Sequence, residues 1–294
     1  MREGRLCIFG EVLFDHFPDG KRVLGGAPFN VAWHLQAFGQ APHFVSRVGT
    51  DPEGSEIRSA MHDWGMDLAG LQSDPQLPTG RVDVNFHDGE PHYAIVQPCA
   101  YDAIVPAPPS DACRLLYHGS LALRDARSRA ALEGLRARAP ETVFVDVNLR
   151  PPWWQAEQVR AMLSEADWVK LNADELTQLH TAATGGPSDA ADFLTAYQLR
   201  GLILTRGAEG AEILTEQGER FTVRPDRSGK VVDTVGAGDA FASVIILGLA
   251  NGWPLDITLE RAQAFASRVV GNRGAIVRDP AFYKFFTEQW NLAA

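Results

Sequence analysis

Short, dense apolar runs alternate along the chain with segments of helical spacing. The runs are residues 6–9, 44–45, 115–117, 143–147, 168–171 and 202–204. In the helical segments, apolar residues recur every three or four positions, as in Val31, Leu35 and Phe38. Such runs are typical of strands buried on both faces, and the wider spacing is typical of helices with one buried face. The pattern predicts an α/β fold, with a doubly wound, mostly parallel sheet and helices on both of its faces.

One region departs from this alternation. Apolar and polar residues alternate from Val82 to Phe86, an Asp-Gly pair occupies residues 88–89, and the alternation resumes at Tyr93. This pattern predicts a β-hairpin with one apolar face. A hairpin inserted into a parallel α/β chain usually lies off the main sheet, and its apolar face needs a partner.

The hairpin is expected to belong to a small β lid. We assign this lid to two segments, about residues 12–24 and about residues 80–103. The chain contains no internal repeat and no low-complexity tract, so we expect a single domain over residues 1–294. Aromatic residues at helical spacing within residues 282–290 predict a C-terminal amphipathic helix.

Composition narrows the class of protein. The chain has 294 residues, with 27 Lys and Arg against 37 Asp and Glu, which gives a net charge of −10. An acidic chain does not favour nucleic acid, whose binding depends on a basic surface. The widely spaced Cys7, Cys99 and Cys113 suit neither a disulfide framework nor a zinc site. No apolar stretch has the length of a signal peptide core or a membrane span. We therefore expect a cytoplasmic protein with neither a nucleic-acid nor a membrane partner.

The sequence DTVGAGDAF at residues 233–241 opens a strongly apolar helical pattern. Two glycines at the start of a helix leave main-chain N–H groups bare, and the helix dipole adds partial positive charge, so this position favours an anion. Asp239 would lie beside that anion and repel it. A carboxylate at this position is useful despite the repulsion if Asp239 accepts a proton from a group that attacks a phosphate. The alternative is an Asp helix cap after a glycine turn, because short glycine motifs are unspecific.

Several motifs occur in an order that resembles a known family. They are Gly10-Glu11 with Asp15, GGAPFNVA at 25–32, VGTDPEG at 48–54, the inserted hairpin, NADE at 172–175, TRG at 205–207 and GAGD at 236–239. In this order they resemble the signatures of the ribokinase-like (PfkB) carbohydrate kinases, and the form of the motif at 25–32 is most similar to that of fructokinases. The resemblance covers nearly the whole chain. It implies a ribokinase-like fold and an ATP-dependent kinase that phosphorylates a sugar hydroxyl.

The resemblance implies the roles of the residues in the glycine motif. Asp239 would be the general base that takes the proton from the sugar hydroxyl. The amides of Gly236, Ala237 and Gly238 would form an anion hole for the charge that develops on the γ-phosphate. This division suits phosphoryl transfer, which is catalysed mainly by positioning and electrostatic stabilisation.

Sugar contacts are implied for four residues near the N-terminus, namely Asp15, Gly25, Gly26 and Asn30. An Asp can accept hydrogen bonds from two vicinal hydroxyls, and an Asn can both donate and accept. From the residues alone, Asp15 could instead be a loop residue in an Asx turn, and Asn30 an ordinary residue of a first helical turn.

Arg150 is a further candidate for binding substrate. Asp146, Asn148 and Arg150 alternate with apolar residues at the end of a predicted strand, so their side chains are predicted to project to one side. An Arg there could clamp a phosphate or carboxylate, and its position resembles that of an Arg near substrate in several of these kinases. The alternative is a surface ion pair at a strand end.

The nucleotide is expected to bind beside the later strands. The resemblance implies contacts from Asn172, Glu175, Thr205, Gly207, Gly210 and Thr234. Glu175 would also help to hold Mg²⁺ through water, and Asp233 would contribute to a site for a monovalent cation such as K⁺. From the residues alone, Asn172 and Glu175 form a variant of the helix capping box, and both interpretations can hold together.

Fructose is the leading candidate substrate, and the expected assembly is a homodimer through the lid. The alternatives are a 2-keto-3-deoxygluconate kinase or a nucleoside kinase of the same family, or a non-catalytic sugar sensor on the same scaffold. A sugar acid would need a cation near the lid, for which the candidates are Lys21, Arg22, Arg81 and Arg150. A nucleoside would need aromatic stacking, for which the candidates are Phe14, Phe17, Phe29 and Tyr93. His34 and His118 are predicted to be structural histidines.

Overall fold

The computed structural model describes residues 4–87, 90–106, 112–182, 189–226 and 231–292. The Asp-Gly turn predicted at residues 88–89 lies outside them. Within the described ranges, no helix combines the length and the apolar character that a membrane span requires.

Thirteen strands and nine α-helices form in the described residues. The strands are β1 Arg5–Phe9, β2 Leu13–His16, β3 Arg22–Gly25, β4 His43–Gly49, β5 Leu71–Asp74, β6 Gly80–His87, β7 Glu90–Ile95, β8 Cys113–His118, β9 Thr142–Asp146, β10 Trp168–Asn172, β11 Gly201–Thr205, β12 Ala211–Thr215 and β13 Arg220–Val223. The helices are α1 Ala27–Ala37, α2 Pro52–Asp63, α3 Ala126–Arg136, α4 Ala156–Leu163, α5 Ala173–Ala182, α6 Ala190–Ala196, α7 Ala237–Asn251, α8 Leu255–Val269 and α9 Pro280–Gln289.

The main sheet has nine strands in the order β13-β12-β11-β10-β9-β8-β1-β4-β5. Seven neighbouring strands, from β11 across to β5, run parallel, whereas β12 is antiparallel to both β11 and β13. The apolar runs predicted as strands all lie in this sheet, and each run is buried on both faces. The predicted fold class is confirmed, and the antiparallel edge of β12 and β13 adds to it.

Helices cover both faces of the main sheet. On one face, Trp33 of α1, Val244 of α7 and Phe265 of α8 belong to a single apolar core. On the other face, Leu132 of α3 and Phe193 of α6 belong to a second core. Strand β1 lies between β4 and β8, so successive strands are added on opposite sides of it. In open parallel sheets, ligands bind at the carboxyl ends of strands beside such a switch point.

A separate sheet of four strands has the order β3-β2-β6-β7. Its strands come from the two segments predicted for the lid. Val82 and Val84 of β6 are buried, with 5% and 2% of their surface exposed, and Val82 packs into the second core. The part of the hairpin's apolar face that lies on β6 therefore has a partner within the chain. Tyr93 of β7 does remain 57% exposed.

Asp51 joins the main sheet to the small one. Its carboxylate caps α2 by accepting from the Gly54 amide at 2.8 Å. It also accepts from the Thr79 amide at 2.7 Å and from the Thr79 hydroxyl at 2.6 Å. The motif at residues 48–54 therefore fixes the point at which β6 begins.

Candidate active site

The N-terminal turns of α1 and α7 meet at a direct side-chain contact. Asn30, in the first turn of α1, donates from Nδ2 to Oδ2 of Asp239 at 2.7 Å. Asn30 is 4% exposed, and its Oδ1 has no hydrogen-bond partner among the described residues. The two residues are 209 positions apart in the chain. The fold therefore brings together the motif assigned to the sugar and the motif assigned to the phosphate.

The N-terminus of α7 is a candidate site for an anion. Gly236 is the N-cap residue, with a left-handed φ of 79°, and it supplies no side-chain cap. A Cβ at this position would lie 2.3 Å from the Cβ of Ala275, so only glycine fits. The first N–H groups of a helix have no partner within the helix, and those of Gly238 and Asp239 remain available for a ligand.

One predicted amide of the anion hole already has a partner. The Ala237 N–H donates to the Thr234 carbonyl at 3.3 Å, which closes the turn before α7. This contact is long for a hydrogen bond, so a bound anion could compete for the Ala237 N–H. Thr234 itself is exposed beside this turn.

The pKa of Asp239 is raised from 3.8 to about 6. Desolvation of the carboxylate in its recess is the main cause, and the charge of Asp146 adds to it. The hydrogen bond from Asn30 and the charges of Lys170 and Arg150 oppose the rise in this pKa. A general base works best when its pKa lies near the working pH, so the environment of Asp239 suits proton abstraction.

Asp15 lies in the small sheet, and the charge of Arg150 acts on it as it does on Asp239. It pairs with Val23 between β2 and β3, and burial raises its pKa from 3.8 to about 6. A Cβ at Gly25 would lie 4.0 Å from Oδ2 of Asp15, and a Cβ at Gly26 would lie 2.7 Å from the Glu11 carbonyl oxygen. The predicted sugar residues Asp15, Gly25 and Gly26 therefore adjoin the segment that leaves β1.

Arg150 reaches the site by a route that the sequence pattern does not predict. Strand β9 ends at Asp146, and Asn148 has a φ of 41°, which breaks the extended alternation. The prediction that Asp146, Asn148 and Arg150 project to one side is therefore wrong. Asp146 is buried against Lys170, whereas Arg150 is exposed. The positive charge of Arg150 nevertheless opposes the raised pKa values of Asp15, Glu11 and Asp239.

Asn172 and Glu175 form the predicted capping box. The Asn172 side chain accepts from the Glu175 amide, and Oε2 of Glu175 accepts from the Asn172 amide, both at 2.8 Å. Oε1 of Glu175 accepts from the Leu149 amide at 2.8 Å. Because both oxygens of Glu175 already accept main-chain N–H groups, this carboxylate suits a hydrated cation held through water better than a directly coordinated one. In the described ranges, no group of three His, Cys, Asp or Glu side chains is arranged to hold a metal.

Thr205 lies next to Asn172 at the carboxyl edge of the sheet, because the two residues are paired in register between β11 and β10. The turn that follows closes when the Arg206 amide donates to the Gly210 carbonyl at 2.8 Å. Gly207 and Gly210 both have positive φ values, and a Cβ at Gly207 would meet no atom within 4 Å. This turn therefore leaves room for a ligand beside Asn172.

Asp233 ties two loops together. Its Oδ1 accepts from the Val235 amide and its Oδ2 from the Gly274 amide, both at 3.0 Å. These contacts hold the turn before α7 against the segment that contains Ala275. A monovalent cation at Asp233 stays a prediction.

The structure adds a buried polar cluster for which the sequence suggests no role. Glu11 lies two residues after the end of β1, is 3% exposed and has no hydrogen-bond partner for Oε2 among the described residues. Burial raises its pKa from 4.5 to about 7. Arg124 lies nearby in a bidentate pair with Asp102, at 2.6 and 2.9 Å, and stacks on Tyr101. The signal that could have identified Glu11 was its position as a charged residue just beyond the carboxyl end of a buried strand.

The predicted structural histidines lie in the core. His34 contacts the Tyr283 hydroxyl at 2.9 Å and the Ala275 carbonyl at 3.1 Å. His118 contacts the Gly119 carbonyl at 3.0 Å. Burial lowers the pKa of each imidazole from 6.5 to about 4.

Comparisons with known proteins show the family to which the chain belongs. The family model of pfkB family carbohydrate kinases matches residues 7–281. A fructokinase from Klebsiella pneumoniae is 33% identical, with 94% of this chain and 96% of that protein covered. An aminoimidazole riboside kinase from Salmonella typhimurium is 31% identical, with 94% and 92% covered. Among solved structures, the fructokinase from Vibrio cholerae O395 in its fructose, ADP and calcium ion bound form has a TM-score of 0.78 at 25% identity, with 96% of this chain and 98% of that chain covered. The chain is therefore a sugar kinase that belongs to the pfkB carbohydrate kinase family.

Proposed function

We propose that this protein is an ATP-dependent fructokinase that transfers the γ-phosphate of ATP to a primary hydroxyl of fructose. The contact between Asn30 and Asp239 carries the proposal, because it joins the sugar-side loop to the helix that faces the phosphate. In this proposal, Asp239 is the carboxylate at which the acceptor hydroxyl and the transferring phosphoryl group meet.

The proposed step needs a base and an anion site. Asp239 takes the proton from the sugar hydroxyl as the hydroxyl oxygen forms its bond to the γ-phosphorus. The bond from that phosphorus to the bridging oxygen breaks, and ADP leaves. The amides at the start of α7 stabilise the charge on the phosphoryl oxygens during transfer.

The charges near the small sheet argue against a sugar acid. Arg81 is paired with Asp83 at 2.6 Å, and Arg22 is paired with Glu53 and Glu56 at 3.1 and 3.0 Å. Of the four cations considered for this role, Arg150 is the one whose charge acts on Asp15 and Asp239. Because the charge of Arg150 is already offset by the carboxylates of Asp15 and Asp239, a neutral sugar such as fructose suits the site better than a sugar carboxylate.

The aromatic residues give only limited support to a nucleoside as acceptor. Of the four candidates for stacking, Phe14 is 1% exposed and Phe29 is fully buried, so neither offers a free face for a base, whereas Tyr93 is 57% exposed. The similarity to an aminoimidazole riboside kinase keeps a riboside acceptor as the second candidate, because that relative is almost as similar as the fructokinase.

ATP and Mg²⁺ are the proposed co-substrate and cofactor. Val231, Val232 and Val235 expose 63%, 48% and 47% of their surface beside the turn before α7, where they suit the flat face of an adenine. Glu175, with its oxygens held by main-chain N–H groups, would hold Mg²⁺ through water. When bound, Mg²⁺ neutralises phosphate charge during transfer.

A sugar panel tests the proposal. ADP release with Mg-ATP would be measured for fructose, other ketoses, aldoses, 2-keto-3-deoxygluconate and ribosides, including aminoimidazole riboside. Fructose is expected to give the highest kcat/KM, since that ratio measures discrimination between substrates. A higher ratio for a riboside would replace fructose as the substrate. Sugar binding without any sugar-stimulated ADP release would instead indicate a non-catalytic sensor.

A further inference from the structure

A buried ion pair lies directly beneath the proposed phosphoryl-transfer site. Nζ of Lys170 donates to Oδ1 and Oδ2 of Asp146 at 2.9 and 2.8 Å. The two side chains are 8% and 3% exposed. They are paired in register on neighbouring strands, Lys170 on β10 and Asp146 on β9.

The position of this pair links it to α7. A Cβ placed on Gly238 would lie 3.5 Å from Nζ of Lys170, so the ammonium group lies against the first turn of the helix. The Tyr117 hydroxyl donates to Oδ2 of Asp146 at 3.4 Å and closes the pair from β8. The ammonium thus lies behind the main-chain amides that would bind the phosphoryl group.

Stability alone is a poor reason to bury such a pair. Taking two charges out of water costs several kcal/mol for each ion, and apolar replacements of similar volume are often neutral or stabilising. Stability therefore does not by itself explain why Lys170 and Asp146 are buried together.

We propose that the Lys170–Asp146 pair is a positioning element that sets the charge on Asp239 and supports the anion site at α7. This inference rests on the proposed kinase function. The positive charge of Lys170 favours the ionised form of Asp239. The negative charge of Asp146 partly cancels this effect. Neither residue touches the substrates, and both act through Asp239 and the first turn of α7.

Groups from several elements face Asp239. Asn30 of α1 donates to it, and Asp146 of β9 and Lys170 of β10 act on it from beneath. Three further groups interact electrostatically with Asp239, namely Arg150 after β9, Glu11 after β1 and Tyr117 of β8. The negative charge of Asp146 raises the pKa of Asp239, and the positive charge of Lys170 lowers it. Removing one member of the pair must therefore move this pKa in the direction opposite to removing the other.

Three variants of the full-length protein test the proposal through the pH profile of kcat. In Lys170→Met, the acid limb should move to higher pH, by about one unit for the loss of a nearby opposite charge. In Asp146→Asn it should move to lower pH, and in Lys170→Met/Asp146→Asn it should return close to that of the wild type. The kcat plateau of Lys170→Met should also fall, by about tenfold, because the anion site loses positive charge behind it.

A structural role alone gives a different result. Both single variants break the same ion pair. If the pair had only a structural role, both variants would lose kcat and thermal stability. The acid limb would then stay in place, or it would move in the same direction in both variants. Either result overturns the proposal. If Lys170→Met fails to fold, Asp146→Asn and the double variant still decide the question.

Arg47→Met is the matched control. It removes the cation from another buried pair, Arg47 with Asp74 at 3.1 Å, on β4 and β5. It should reduce stability without moving the acid limb. If the wild type showed no sugar-stimulated turnover, the proposed function itself would be wrong. If the enzyme were active but the acid limb did not move in the variants, only the proposal about the ion pair would be wrong.

Discussion

Asp239 combines two features that a residue needs to act as a base in phosphoryl transfer. It is oriented by Asn30 at 2.7 Å, and burial places its pKa at about 6. Its negative charge next to an anion site would be a disadvantage for binding alone. The proposed role in proton abstraction would account for a carboxylate in that position.

Asp239→Asn should therefore lose turnover and keep binding. Loss of a positioned general base typically costs 10²–10⁴-fold in rate, so kcat is expected to fall by about that factor. Calorimetric titration should show sugar and nucleotide affinities close to those of the wild type. A variant that retains more than about a tenth of the wild-type kcat would remove Asp239 from this role.

The pH dependence of turnover follows from the same residue. Asp239 must be deprotonated to accept a proton, and its pKa is raised to about 6. At saturating sugar, kcat should rise as the pH increases through about 6 and then level off. The profile would be measured with the coupling enzymes in excess at each pH. A rate that stays constant well below pH 6 would contradict an ionised Asp239 as the base.

At the scale of elements, the two ends of α7 show how backbone geometry serves the site. Gly236 at the N-cap has a φ of 79° and lies against Ala275, and Gly252 at the C-cap has a φ of 64° with no atom within 4 Å of an added Cβ. Both positions need a left-handed conformation, but close packing is found at the anion-binding end alone.

Gly236→Ala and Gly252→Ala form a matched pair of variants. Gly252→Ala should lose about 1 kcal/mol of stability from backbone strain and keep its activity. Gly236→Ala adds a clash with Ala275 to the same strain, so it should lose more stability and most of its kcat. Thermal unfolding and steady-state kinetics would measure both effects. Equal kinetics for the two variants would show that the α7 N-cap is not part of the site.

The helices that carry the site are also tied to each other. His34, one turn after Asn30 on α1, contacts the carbonyl of Ala275, the residue that packs against Gly236. Trp33 donates to the Val277 carbonyl at 3.0 Å, and Tyr283 of α9 contacts the same carbonyl at 3.1 Å. These contacts fix the loop before α9 on α1, and so relate the sugar-side helix to the anion site.

At the scale of the whole molecule, the buried histidines predict sensitivity to acid. The pKa of His34 is lowered from 6.5 to about 4, so its folded form disfavours the proton that the unfolded chain binds. Its contribution to stability is complete above pH 6.5 and is lost as the pH falls through about 4.

In His34→Gln, the free energy of unfolding should depend less on pH in the acid range. Between about pH 7 and pH 5, the free energy of unfolding should fall by about 1–2 kcal/mol less in this variant than in the wild type. Denaturant unfolding at each pH would measure the difference. His62→Gln is the control, because it replaces an exposed histidine in the same way. An equal slope in His34→Gln and the wild type would contradict a buried neutral His34.

The small sheet is expected to mediate a homodimer. Strand β7 lies at the edge of that sheet and exposes Tyr93. Exposed edge strands are ready to pair with another chain. Light scattering should give twice the chain mass of 32.1 kDa, and Tyr93→Asp should shift the mass toward one chain. A wild-type protein that is monomeric at micromolar concentration would rule out this assembly.

The sequence by itself determined the fold class and suggested most of the residues proposed for the site. Buried strands and amphipathic helices differ in period, so local patterns identified β1, β4, β8 to β11 and the helices between them. The glycines at residues 236 and 238 and the capping box at Asn172 and Glu175 were also visible, because each depends on residues close together in the chain.

Only the tertiary structure decided which distant groups meet. The contacts of Asn30 with Asp239 and of Lys170 with Asp146, and the burial that raises the pKa of Glu11, join residues from separate strands and helices. The turn at Asn148 likewise redirected Arg150 in a way that residue periodicity does not show. Hydrogen bonding and desolvation depend on three-dimensional neighbours, and a linear pattern encodes those neighbours only through the complete packing of the chain.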